Sequence, residues 1–155
     1  MFLPPFFLAL FILLTPISIP AENYGHLFLR VESLEHRKVL LDLPIKAGDL
    51  FYFQYIHSSD KTPIRDTFKV DEEGQLILIE EAFRWYGAGL EFQDHRGVKV
   101  KSNGQWTSVH LNRLLLNLPV RVGRVSQQNL ILNNQCYRLD QLARPGECVI
   151  FSIAR

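Results

Sequence analysis

Residues 51–68 read FYFQYIHSSDKTPIRDTF, two runs of strand-forming residues joined by a polar turn that ends on proline. In a β-strand successive side chains point to opposite faces. Phe51, Phe53, Tyr55 and His57 then share one face of the first run, and Ile64, Asp66, Phe68 and Val70 share one face of the second. Arg65, Thr67 and Lys69 take the other face, so the second run separates into an apolar row and a polar one. Asp66 breaks the pattern. A carboxylate in an apolar row is costly unless it meets a hydrogen-bond donor or a cation.

The next run, 75–86, repeats the feature. Ile77, Ile79, Glu81, Phe83 and Trp85 fall on one face, which places a second acid in an apolar row; a slip of one residue would put Glu80 there instead. A hairpin loop of six to eight residues between the first two runs is expected to set His57 opposite or diagonal to Asp66, within reach of an imidazole–carboxylate pair.

Working outward, further strands are expected at 27–31, 39–43, 98–101, 105–110, 119–125, 130–132, 135–139 and 147–153, with turns at Asp71–Gly74, Asn103-Gly104, Asn133-Asn134 and Pro145-Gly146. Short helices are expected at 111–117 and 140–143. Many short strands at regular spacing predict an all-β fold, an antiparallel sandwich or partly closed barrel of about eight to ten strands. Residues 22–155 are long enough for one domain, and no repeat or linker divides them.

Residues 1–21 contain no charged side chain and end on Pro20-Ala21, the pattern of a secretory signal with its cut after Ala21. Retained, residues 2–19 would serve as an inner-membrane anchor. Either way the domain is expected to be exported, in the periplasm, with membrane contact through the leader or a permease. A formal net charge of +1 over 155 residues gives no overall footprint for nucleic acid. An oxidising compartment would allow Cys136 and Cys148 to pair, and two buried reduced thiols is the other reading.

Chemistry centres on the hairpin. Ser58 neighbours His57 and therefore points to the opposite strand face, badly placed to give His57 its proton, and no GxSxG elbow occurs. Metal ligation by His57, Asp66, Glu81 and His95 lacks any supporting His spacing, so neither a metal nor another cofactor is expected. Thr62-Pro63 fixes the end of the turn, and Gly87 and Gly89 permit close approach of backbone. The set His57-Ser58-Ser59-Asp60-Lys61-Thr62-Pro63, then Asp66, Glu80-Glu81, Phe83 and Gly87-Ala88-Gly89-Leu90, resembles the uncharacterised bacterial domain-of-unknown-function family 1850; the closing Tyr137-Arg138-Leu139 and Gly146 are similar to its C-terminal part. The resemblance implies small exported proteins, often encoded beside permeases of TAXI-type TRAP transporters, and hence an accessory role in solute uptake with the permease or its solute as partner. His57, Ser58, Asp60, Thr62, Asp66, Glu81, Gly87 and Gly89 are the expected ligand- or partner-binding residues. The alternative expectation is a small periplasmic hydrolase or metal-dependent enzyme using His57 and Asp66.

Overall fold

The computed structural model describes residues 26–84 and 99–155. The expected leader, Gly87, Gly89 and His95 lie outside them. Eleven strands are present among the described residues: β1 Leu27–Ser33, β2 Lys38–Ile45, β3 Leu50–Ile56, β4 Pro63–Val70, β5 Leu76–Phe83, β6 Lys99–Ser102, β7 Thr107–Leu115, β8 Leu118–Arg121, β9 Asn129–Leu132, β10 Gln135–Arg138 and β11 Cys148–Ala154. One helical turn, α1 Leu139–Leu142, sits near the expected position. The fold is all-β, two antiparallel sheets in a sandwich-like arrangement. Four strands run β2-β1-β11-β8, and seven run β10-β9-β3-β4-β5-β7-β6.

Local sequence explains the hairpins. Asn133 and Asn134 both take positive φ, 50° and 62°, between Leu132 and Gln135, the two-residue turn whose twist matches that of the flanking strands. Gly74, at φ 74°, closes the Asp71–Gly74 turn, where the Asp71 carboxylate accepts the Gln75 backbone N–H at 2.6 Å.

The core forms where inward rows of the two sheets meet. Phe51 stacks on Phe68 across the β3–β4 pair with ring centroids 5.0 Å apart, and Phe53 meets Phe151 of the other sheet edge-on at 5.7 Å. Leu29 and Val31 of β1 and Val149 and Phe151 of β11 pack with Leu130, Leu139 and Leu76 into one cluster. A smaller cluster of Ile64, Phe83 and Val109 lies further along the seven-stranded sheet. Each fully buried side chain of this size contributes about 1.5–3 kcal/mol.

One expectation about the elements is corrected. Residues 111–117 are not helical. Leu111–Leu115 continue β7, which pairs with β5 from Phe83↔Thr107 to Leu76↔Leu115, and Leu116 is exposed beyond the strand end. Leu111, Leu114 and Leu115 have helical spacing, but a helix there would leave the backbone groups of β5 without the partners they have in the sheet.

Cys136 and Cys148 are both free. Cys136 is opposite Ile131, which is opposite the outward-facing Tyr52, so alternation turns its thiol away from the four-stranded sheet, where Cys148 opens β11.

Candidate functional site

One inward row crosses all seven strands. Register sets Tyr137 opposite Leu130, Leu130 opposite Phe53, Phe53 opposite Asp66, Asp66 opposite Glu81, Glu81 opposite Val109 and Val109 opposite Val100. Directly opposite residues share a face, with Cβ atoms about 4.5–5.5 Å apart. Two carboxyl groups therefore stand side by side in the middle of a row otherwise built from aromatic and aliphatic residues.

The choice of Glu81 over Glu80 comes from a β-bulge. Leu76 and Leu78 are buried, and beyond the irregularity at Ile79 the buried position moves to Phe83 with Glu81 beside it. Glu80 is turned to the outer face, opposite Thr67 and His110, 3.5 Å from the His110 ring. The expected pairing of acids is present, but the expected inward row of Ile77 and Ile79 is not, because the phase changes within the strand.

Electrostatics at the pair follow from burial. The Asp66 Oδ1 atom is shielded from solvent and has no hydrogen-bond partner among the described residues. Burial first, and the neighbouring Glu81 second, push the Asp66 carboxyl up to about 7. Tyr55 is displaced upward by its own burial and then by the two carboxylates. Near neutral pH the Asp66–Glu81 pair thus holds a proton that an exposed pair would have lost.

At the rim, His57 through Thr62 form the six-residue hairpin loop. The His57 N–H donates to the Thr62 carbonyl at 2.9 Å, and Lys61, at φ 56°, donates its N–H back to the His57 carbonyl at 3.1 Å. Ser59 Oγ lies 3.0 Å from His57 Nδ1 and its hydroxyl donates to Asp60 Oδ1. That donation makes Ser59 the acceptor for a proton on Nδ1, a tautomer assigned from the network. Asp60 Oδ2 comes within 3.2 Å of Nδ1 without an aligned hydrogen bond; the close approach is an electrostatic contact only. The serine that touches the imidazole is Ser59 and not Ser58, whose carbonyl instead accepts from Lys61 Nζ. With the hydroxyl proton directed at Asp60, Ser59 is not activated by His57 as a nucleophile would be.

His57 and Asp66 do not pair. With Ile56 opposite Pro63 and Phe53 opposite Asp66, the carboxyl lies four residues down the hairpin from the His57–Thr62 contact, about 13 Å at strand rise. A six-residue loop places His57 at the mouth, and Tyr55 occupies the inward position between it and the acids. The expected residues that the structure describes therefore divide into a rim of His57, Ser58, Asp60 and Thr62, which Ser59 joins, and an interior of Asp66 and Glu81, which Tyr55 joins. Tyr55 and Ser59 were absent from the expected binding residues; their signal was the spacing of two from His57, on the strand side for one and in the turn for the other. No group of three or more His, Cys, Asp or Glu that could hold a metal occurs among the described residues. Arg113 is on β7, and Arg121 is on β8 of the other sheet, donating to the Gly146 carbonyl.

A model of the family described as Domain of unknown function (DUF1850) matches residues 51–139. The chain belongs to this family. The matched segment contains every strand of the seven-stranded sheet apart from Leu50, the first residue of β3, so the acid pair and the His57 rim both fall inside it. Strands β1, β2 and β11, most of the four-stranded sheet, lie outside the family match. No curated protein and no solved structure matches the chain.

Proposed function

We propose that this protein is an exported, non-enzymatic binding module that works beside a TRAP-type permease and receives a cationic or amine-bearing group of a ligand or partner at the hairpin site. The observation that carries the binding reading is the shielded, donorless Asp66 Oδ1 beside Glu81 in an apolar row. A carboxyl group in that setting gains when a cation or strong donor arrives, because it then recovers the partner that folding removed. Tyr55 and the His57 turn would form the mouth through which such a group enters. Export and the association with a permease rest on the uncharged residues 1–21 and on the family resemblance.

The test is affinity capture of the full chain from membranes carrying a TAXI-type TRAP permease, alongside Asp66→Asn. Recovery of the permease or its solute with the parent chain, reduced for Asp66→Asn, is expected. Recovery of neither would sink the proposal. The register that keeps His57 and Asp66 apart lends no support to the alternative of a hydrolase or metal-dependent enzyme using both.

A further inference from the structure

The alternation that points Phe53 and Asp66 inward turns the intervening residues of the seven-stranded sheet outward, and these carry charge of one sign. Register sets Arg65 between Gln54 and Ala82, Lys69 between Leu50 and Ile77, Lys99 beside His110 and Lys101 beside Ser108. Arg84 follows the last residue of β5, with its guanidinium 5.0 Å from the Trp106 ring centroid. Arg65 lies in the same way 5.7 Å from the Tyr52 ring centroid. All five cations are exposed.

Little on that face opposes them. Among the described residues its acid is Glu80, beside His110, while Arg138 at the β10 edge is held by Asp140. The five cations less Glu80 leave the face at +4, so the rest of a chain whose total is +1 carries −3. The outer face of the four-stranded sheet differs in kind: Arg30 is locked to Asp42 at 2.8 Å, with Glu32 next to it on β1. The near-neutral total therefore conceals a molecule with a basic side.

We propose that the outer face of the seven-stranded sheet docks on an anionic membrane surface, with Arg65, Lys69, Arg84, Lys99 and Lys101 meeting phosphodiester headgroups and Tyr52 and Trp106 lying at headgroup level. Three observations select this occupant. The charge is complementary to anionic lipid. The cations are spread, all at exposed positions, over β4, the residue after β5 and β6, as a broad partner requires. The two rings that carry guanidinium groups are of the amphipathic kind that settles at membrane–water boundaries. The uncharged residues 1–21 ahead of the domain would bring it to a bilayer in any case.

The experiment compares partitioning of the full chain onto vesicles of phosphatidylglycerol and phosphatidylcholine in equal parts with partitioning onto phosphatidylcholine alone. Taking the ratio removes any contribution of the apolar leader that does not depend on lipid charge. A face variant, Arg65→Glu, Lys69→Glu, Lys99→Glu and Lys101→Glu together, is set against a control of equal charge change, Arg37→Glu, Lys38→Glu, Arg124→Glu and Arg144→Glu, all at exposed positions.

Each basic side chain near an anionic surface favours binding about fivefold, so the face variant should lose at least roughly a hundredfold of the ratio. The control should keep most of it. An equal loss in the control, an unchanged ratio in the face variant, or tighter binding of the parent chain to a single-stranded oligonucleotide than to the anionic vesicles would overturn the proposal. Should the face variant fail to fold by circular dichroism, a salt series on the parent chain decides: the ratio must fall as salt shortens the screening length, and a salt-independent ratio refutes docking by charge.

Discussion

Replacing Asp66 with Asn removes a buried carboxyl whose titration is displaced into the neutral range. Its value rises from an ordinary 3.8 to about 7, first through burial and then through Glu81. Between those two values the folded protein holds a proton that the unfolded chain releases, so stability is greatest below about pH 4 from this group and falls as pH rises to about 7. At 1.36 kcal/mol per unit, the displacement corresponds to roughly 4 kcal/mol across the window. With urea slopes of about 1–3 kcal/mol per molar, the unfolding midpoint should drop by about 1–4 M from this group as pH is raised from 4 to 8. Asp66→Asn should flatten that slope and unfold later than the parent chain at pH 8. Glu81→Gln should keep most of the slope, because burial is the larger cause and remains. Urea unfolding at a series of pH values, followed by tryptophan fluorescence, measures all three proteins. A parent profile as flat as that of Asp66→Asn would refute the reasoning, and a Glu81→Gln profile that is flat while that of Asp66→Asn slopes would move the held proton to Glu81.

Phe151→Ala should cost about 3–5 kcal/mol, since it empties the contact through which the four-stranded sheet meets Phe53; equilibrium unfolding checks it. Ser59→Ala should cost about 0.5–1.5 kcal/mol by removing the link between His57 and Asp60, whereas Ser58→Ala, which leaves its carbonyl in place, should be nearly silent. Equal effects of the two serine changes would contradict the turn geometry. Thiol labelling of the native protein without reductant should find two reactive sulfurs, the exposed Cys136 faster than Cys148, and a protein with no free thiol would show that the sheets approach differently at that edge.

Much of the sheet was readable because its signals are local. Phe51, Phe53 and Tyr55 alternate without ambiguity, as do Ile64, Asp66 and Phe68, and the Asn133-Asn134 turn prescribes its own hairpin. What could not be read was phase and partnership at a distance. His57 and Asp66 were expected to share a face, yet how far apart they lie along the hairpin depends on where the loop begins; Thr62-Pro63 fixes only its end, and the loop takes in His57 itself. The 111–117 segment has both a helical and a strand reading, and only the waiting edge of β5 decides between them. Cys136 and Cys148 are twelve residues apart, close enough to pair by chain length, but the side of the strand on which each thiol falls depends on which sheet each strand joins.

The acid pair shows most clearly why phase matters. Leu76, Ile77, Leu78 and Ile79 are all apolar, so the first half of β5 gives no indication of which parity faces inward. Had the strand run in one phase from Leu76 and Leu78, Glu80 would face Asp66, and Phe83 would be turned to the outer surface. The bulge at Ile79 reverses both outcomes, burying Phe83 in the small cluster with Ile64 and Val109 and bringing Glu81 to Asp66. The same shift sends Glu80 outward to His110, the acid that, among the described residues, stands with the cations of the outer face. A single extra residue in one strand thus distributes the two neighbouring glutamates to opposite sides of the sheet. One glutamate raises the proton affinity of the interior carboxyl, while the other leaves the basic face with a charge that five cations outweigh.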